Sequence, residues 1–397
     1  MQLVEKHIIK KGHLFYTSLD DLCFKSKNLY NATLYAIRQY LFETTKYLNY
    51  YSLQPQFQNY NNPDYRALPA NVSQQVMKLV NQNFKSFFSA LKSYHQNPEK
   101  FKAAPQLPKY LHKTKGRFVT VFTQRVISRL VDKTGYLTLT GIENVKIKTS
   151  LHYNQIQQVR IVPKNNYYVV EIIYKVNELE LKKDNGRYCG VDLGVNNLAA
   201  ISSNVVKPFI INGKPIKSIN HYYNKQKAKF QSLLPKDQYY SNRLYKLELK
   251  RKNLIDNYLH KASRLLVNHL VSNQINTLII GHNKEWKQDI NNGKVNNQNF
   301  VQIPFNRFIQ MLQYKCKFEG INVVITEESY TSKSSFLDND YLPVYKQGNT
   351  QEYKFSGRRV KRGLYKTSNG SVINADINGS LNIMRKVIPN VIITNGI

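Results

Sequence analysis

Residues 189–200, CGVDLGVNNLAA, constrain this chain more than any other stretch. Val191 and Leu193 frame a single acid, Asp192, and the pattern predicts a buried strand that turns at Gly194 into a second apolar run, 198–201. A carboxylate taken out of water without a partner either raises its pKa or is neutralised. An acid inside a strand therefore asks for a compensating charge, and a metal ion is one. The competing reading is an Asp at a strand end that caps the turn at Gly194. Both stay open on this stretch alone.

With 397 residues the chain can bury a sizeable core and hold two or three domains. Its 58 Lys and Arg against 25 Asp and Glu leave a formal charge of +33, well beyond what solubility requires, which predicts a polyanionic partner. Nucleic acid is the first candidate. An anionic membrane surface would want an amphipathic basic anchor or a run of ~18 apolar residues, and the sequence offers neither, nor a signal peptide. A soluble, cytoplasmic, nucleoid-associated protein is expected. Cys23, Cys189 and Cys316 form no CxxC pair and the nine His no HxxxH or HxH pair, so no disulfide framework, cysteine zinc site or histidine metal site is indicated.

Residues 1–16 read as a strand with a basic edge. Two amphipathic helices follow. The first puts Leu29, Thr33, Ala36, Ile37, Tyr40 and Leu41 on one face; the second, opening after Pro69, does so with Val72, Val76, Leu79, Val80, Phe87, Phe88 and Leu91. Such stripes mark core. Between them residues 54–65, rich in Gln, Asn and Tyr with two prolines, read as a loop. Residues 100–130 hold no acid, while Lys102, Lys109, Lys113, Lys115, Arg117, Arg125 and Arg129 are interleaved with Phe101, Tyr110, Phe118 and Phe122. Bases of this kind neutralise phosphates and rings stack on exposed nucleobases, although a solvated basic face has the same composition.

Short β-rich runs at 118–122, 136–139, 145–148, 157–162 and 167–174 predict a small antiparallel barrel or sandwich, with residues 177–187 as the linker out of it. Beyond Asp192 come a hairpin turn at Asn212-Gly213, helices over 221–233 and 242–273, a strand at 277–280, a helix over 300–318 and a strand at 321–326. That order describes an α/β half on a mixed sheet. Residues 329–374 leave the sheet as an excursion. The segment SVINADINGSLNIMRK, 371–386, places Asp376 near a helix start, on one face with Ile373, Ser380 and Ile383, and its Gly379 and Ser380 allow close approach to another element. An Asp in a first helical turn is also the ordinary mark of a cap.

Three acids at the ends of separate elements in a lysine-rich chain suggest phosphodiester hydrolysis. That reaction needs an activated water and a stabilised leaving oxygen, and two divalent ions ~4 Å apart supply both. Carboxylates converging from different strands and a helix would hold them, and hard oxygen ligands suit Mg²⁺ or Mn²⁺.

GVDLGVNNLAA at 190–200, ITEESYTSKSSF at 325–336 and INADINGSLNIMRK at 373–386 together resemble TnpB, the RNA-guided endonuclease encoded by insertion-sequence transposons and related to type V CRISPR effectors. The likeness covers nearly the whole chain, since the helix end at 84–88 and GRFVTVFT at 116–123 also look like that family's N-terminal half. The resemblance implies a multidomain α/β and β protein: an RNase-H-like (RuvC) nuclease domain preceded by a wedge β-barrel with a helical recognition insert. The implied boundaries are 1–18 for the first wedge strand, 19–98 for the helical recognition domain, 99–178 for the rest of the wedge and 179–397 for the nuclease domain. Within the last, 329–374 is an insert that binds target nucleic acid.

Residue by residue, Asp192 matches the first RuvC acid and Asp376 the third. The second departs from the pattern, because most relatives carry a glutamate just after the strand at 277–280 and here Gly281-His282-Asn283 follows. A rearranged form, shared with the eukaryotic Fanzor proteins, takes the acid from the next strand before a Thr-Ser pair, and Glu328 precedes Thr331-Ser332 in that manner. Strand parity puts Glu327 and Glu328 on opposite faces. Glu328 is the expected second acid and metal ligand, with Glu327 and Glu285 as competitors.

The family's two CxxC pairs are also missing, so no structural zinc is expected, and the insert folds without metal or is loosely ordered. Its bases Arg358, Arg359, Lys361 and Arg362, with Lys113 and Arg117 of the earlier run, are expected on nucleic acid, where phosphate contacts strengthen binding without conferring sequence. By resemblance Asn71, Gln74 and Thr123 face the duplex beside the target. The expected partners are a guide RNA from the transposon end and double-stranded target DNA, with a monomeric protein in the ribonucleoprotein. If Glu328 cannot complete the triad, the expectation becomes an RNA-guided DNA-binding protein that represses without cutting. A transposase acting directly on transposon ends ranks last.

Overall fold

The computed structural model describes residues 1–142, 144–283, 293, 298, 300–345, 351–361 and 363–394, and the chain divides into two compact units, Met1–Asn177 and Glu178–Ile397. The first contains β1 (Gln2–Lys10), α1 (Tyr16–Thr44), α2 (Tyr50–Asn59), α3 (Pro63–Arg66), α4 (Ala70–Gln96), β2 (Thr120–Thr123), α5 (Val131–Thr134), β3 (Tyr136–Leu137), β4 (Ile147–Lys148), β5 (Ile156–Lys164) and β6 (Tyr167–Lys175). The strands β1-β6-β5-β2 form an antiparallel sheet and β3 pairs with β4. Among the described residues no ladder joins β1 to β2, so the sheet is open where the sequence suggested a barrel or sandwich.

Leu29, Leu34 and Ile37 of α1 and Val72, Val76, Val80 and Phe84 of α4 meet the buried face of the sheet, including Val159, Ile161, Val170 and Ile172, in one core. The expected loop at 54–65 is instead mostly helical. Asn49 caps α2 by accepting the N–H groups of Tyr51 (2.8 Å) and Ser52 (3.2 Å), and Asn62 caps α3 by accepting that of Tyr65 at 3.1 Å. Leu53, Phe57 and Tyr65 then enter the core, which outweighs a polar composition and a proline inside the helix.

The second unit contains β7 (Tyr188–Leu193), β8 (Asn197–Ser203), β9 (Phe209–Asn212), α6 (Lys214–Ser232), α7 (Asn242–Ser272), β10 (Thr277–Gly281), α8 (Phe305–Phe318), β11 (Asn322–Thr326), β12 (Arg358–Lys361), β13 (Leu364–Lys366), β14 (Val372–Asn374) and α9 (Ala375–Val387). Its main sheet has the order β11-β10-β7-β8-β9, with β7, β8 and β9 antiparallel and β10 and β11 parallel to β7. Alternation sorts the two faces. Val191, Leu193, Leu278, Ile280 and Ile321 pack with Leu259, Leu266, Phe308 and Leu312 of α7 and α8, while Ala200 and Ile279 pack with Ile377, Leu381, Ile383 and Met384 of α9.

Asn212-Gly213 is not a hairpin turn but the corner between β9 and α6. Gly213 has φ −92°, outside the left-handed region a tight hairpin needs, its N–H donates to the Asn196 carbonyl at 2.7 Å, and a Cβ there would stand 2.4 Å from the Val195 carbonyl oxygen.

The excursion is folded over its described residues: β12, β13 and β14 make a small antiparallel sheet. Asp340 accepts the Ser335 N–H at 2.8 Å and the Ser356 hydroxyl at 2.5 Å, and Asp338 accepts the Ser368 N–H at 3.0 Å. Buried Tyr365 donates to the Lys333 carbonyl at 2.8 Å, and Asn378 and Asn382 of α9 donate to the Ser334 carbonyl at 2.8 and 2.7 Å. Among the described residues no helix is long and apolar enough to cross a membrane.

Candidate active site

β7, β10 and β11 run parallel with their carboxyl ends level: Val191 faces Ile280 in one ladder and Gly281 faces Thr326 in the next. Loops leaving such ends, where strand order reverses, line a natural crevice. Asp192 is the penultimate residue of β7, Glu328 follows β11 by two residues and Asp376 lies in the first turn of α9.

Glycines let α9 come down onto the sheet. A Cβ on Gly190 would stand 2.3 Å from the Ser380 carbonyl oxygen, and one on Gly379 would stand 2.5 Å from Asp192 Oδ2. The Asp192 carboxylate is therefore pressed against the α9 backbone, and Ser202 and Ser380 bond along the same seam. On β10, a Cβ at Gly281 would meet Ile383 at 2.4 Å and Glu328 Cβ at 3.2 Å, so Glu328 lies over the end of that strand, on the α9 side. Asn283 Oδ1 accepts the Glu328 N–H at 3.0 Å, and the Glu328 carbonyl accepts the Thr331 hydroxyl at 2.8 Å, which fixes its backbone. Glu327 is engaged elsewhere: it pairs with Lys386 and accepts the Ser329 N–H at 2.8 Å. Glu285 lies outside the described residues.

Asp376 is not the cap of α9. Asn374 is, accepting the N–H groups of Asp376 (2.9 Å) and Ile377 (3.2 Å). The Asp376 carboxylate, relieved of that duty, takes two side-chain donors: Asn197 Nδ2 to Oδ2 at 2.7 Å and Arg359 Nη2 to Oδ1 at 3.1 Å. Sequence reasoning missed Asn197, whose one legible mark is its position opening β8 five residues after Asp192, and placed Arg359 on nucleic acid without its carboxylate partner.

Electrostatics tie the acids together. Burial, then the charges of Glu328 and Asp376, push Asp192 well above the usual carboxylate range, with Arg359 opposing. Burial and the adjacent Glu327 push Glu328 up to about 7, against Lys386. Burial also acts on Glu327, but its bonds to Lys386 and Ser329 outweigh it and its pKa is lowered. Glu328 Oε2 is buried without a hydrogen-bond partner. An orphaned carboxylate oxygen on an acid whose charge raises the pKa of Asp192 fits a cation, and an all-oxygen donor set fits a hard divalent one, Mg²⁺ or Mn²⁺. Among the described residues, no three His, Cys, Asp or Glu side chains are grouped closely enough to hold such an ion as they stand.

In the first unit, Asn71 and Thr123 come together, the Thr123 hydroxyl donating to Asn71 Oδ1 at 3.2 Å, and Gln74 follows one turn along α4. Lys113 is exposed. Arg117 is not on an open basic face. Its Nε and Nη2 donate to the two Asp20 oxygens at 2.9 and 2.8 Å and its Nη1 to the carbonyls of Thr114 and Gly116, so four of its five donors are used within the fold. In the excursion Arg358, Arg359 and Lys361 are exposed on β12, and Arg362 lies outside the described residues.

The family model OrfB_IS605, described as "Probable transposase", matches residues 171–287, and a second, described as "Cas12f1-like, TNB domain", matches residues 305–383. CRISPR-associated endodeoxyribonuclease Cas12f2 of a Micrarchaeota archaeon is 25% identical over 288 residues, 64% of this chain and 49% of that protein. The chain thus spans about half the length of this curated relative. Among solved structures, a Cas12f1–sgRNA–target DNA complex matches with TM-score 0.50 and 12% identity over 93% of this chain and 82% of that one. The mini-RNA-guided endonuclease CRISPR-Cas_phi3 matches with TM-score 0.51 and 10% identity over 100% and 94%. At these identities the structural likeness shows the fold, while the two sequence matches fall in order across the acid-bearing segments. The chain is thus similar to OrfB_IS605 over residues 171–287, to the Cas12f1-like TNB domain over residues 305–383 and to Cas12f2 in sequence.

Proposed function

We propose that the protein is an RNA-guided, divalent-metal-dependent endonuclease that cleaves double-stranded DNA beside a transposon-adjacent motif. The observation that carries this reading is Glu328 Oε2, buried and unpartnered at the end of the sheet where the charges of Glu328 and Asp376 act on Asp192. The order β11-β10-β7-β8-β9, three antiparallel strands continued by two parallel ones, fits an RNase-H-like (RuvC) nuclease domain from about 179 onward. In the same reading the sheet of the first unit is the wedge, in segments 1–18 and 99–178, and residues 19–98 are the helical recognition insert.

Asp192, Glu328 and Asp376 would hold Mg²⁺, which when bound supplies the charge that activates water and stabilises the leaving oxygen. The chain's own part is positional. The α9 backbone fixes Asp192, Asn283 and Thr331 fix the Glu328 backbone, and Asn374 and Asn197 orient Asp376. Guide RNA and target DNA, named for the relatives, are the proposed partners here. Asn71, Gln74 and Thr123 would face the duplex, and Lys113, Arg358 and Lys361 would contact phosphates.

Purified with its co-expressed RNA, the protein is expected to cut a matched plasmid only with Mg²⁺ or Mn²⁺. Asp192→Ala and Glu328→Ala should each abolish cutting and leave RNA binding nearly intact, because neither residue belongs to a basic patch. The Arg359–Asp376 ion pair favours a second reading, guided DNA binding without cleavage. Full RNA-dependent binding with no cutting by the unmutated protein would select it.

A further inference from the structure

The two oxygens of Asp376 have unlike partners. Asn197 is neutral, opens a strand of the main sheet and donates to Oδ2; Arg359 is cationic, stands on a strand whose four residues are all exposed, and donates to Oδ1. We propose that Arg359 is a placeholder cation: it occupies Asp376 Oδ1 in the nucleic-acid-free protein and must leave that oxygen before the carboxylates can take up a divalent ion. This rests on the acidic-site reading above.

The geometry fits the role at each end. A neutral amide on one carboxylate oxygen orients the group and leaves its charge for a metal, whereas a guanidinium on the other cancels it. The guanidinium cannot be deprotonated, so it gives way by displacement and not by titration. Its reach extends beyond Asp376, since its charge also acts on Asp192. The pair is partly solvated, with side-chain exposures of 46% for Arg359 and 29% for Asp376, which makes it weak enough to exchange. Arg358 and Lys361 on the same strand would draw a strand phosphate to it, giving the guanidinium an alternative partner.

The test is Mn²⁺ binding to the full-length protein free of nucleic acid, read from the electron paramagnetic resonance signal of unbound aquated Mn²⁺. Arg359→Gln is expected to bind Mn²⁺ about 2–5-fold more tightly than the parent, by the usual size of an exposed ion pair. Arg359→Lys, which keeps the charge, should stay near the parent, and the gain should vanish when Asp376→Asn is added to Arg359→Gln. A glutamine variant that binds no more tightly than the parent overturns the placeholder, as does a gain that survives Asp376→Asn. Failure of the underlying site looks different: Mn²⁺ binding in the parent and in Arg359→Gln would then be indifferent to Asp192→Asn. Thermal melts without Mn²⁺ verify that each variant is folded.

Discussion

Lys315 of α8 has 4% of its surface exposed, and its ammonium is held by neutral acceptors, the His260 carbonyl at 2.8 Å and Ser263 Oγ at 2.6 Å. Burial, with a smaller push from Arg264, lowers its pKa to about 8 from 10.5. Between those values the unfolded chain keeps the proton and the folded chain does not, so stability rises with pH across that window; below pH 8 the penalty of a buried ammonium is fully present. Lys315→Met is therefore expected to stabilise the protein by about 1 kcal/mol at pH 7 and to flatten the rise between pH 8 and 10, checked by thermal melts over that range. Nothing in the sequence marks this lysine, because its burial follows from the packing of α7 on α8. Asp192, Asp376 and Glu328 were readable as candidates through the motifs that resemble TnpB, with parity separating Glu328 from Glu327. Asn197, Arg359 and Arg117 were not, since each acquires its role from a partner far away in sequence.

At the scale of elements, α9 does most to shape the site, and glycine is what lets it. Gly379→Ala places a methyl group 2.5 Å from Asp192 Oδ2, too close for contact, so the carboxylate must move. If the site is the nuclease centre proposed above, a shift of about 1 Å should cost roughly 10²-fold in cleavage rate. Better helix propensity would offset part of the strain by up to about 1 kcal/mol, so the melting temperature should change little beside the activity. A variant that cuts like the parent would show that Asp192 can shift freely. The strands and long helices were readable from period and punctuation, whereas the loop reading at 54–65 failed because Asn49 and Asn62 act there as caps and not as loop formers. Asn212-Gly213 misled for a related reason: the dipeptide fits a hairpin, yet the close approach of residues 195–198 made it a strand-to-helix corner.

For the molecule as a whole the formal charge of +33 sets the largest expectation. If the bases meet phosphates, affinity for a non-specific DNA duplex should fall at least about 10-fold between 50 and 200 mM salt, measured by fluorescence anisotropy. A flat salt response would reduce the charge to solvated surface. Period and punctuation conveyed two long helices and short β runs ahead of an α/β half, but not how each sheet pairs, which depends on strands far apart in the chain.

The excursion bears on the chemistry in one more way. It begins directly after Glu328 and ends with β14 of its own small sheet just before Asp376 and α9, so two of the three candidate acids are its footings. A load on it from a bound strand would be felt at both footings together, while Asp192 stays anchored in β7.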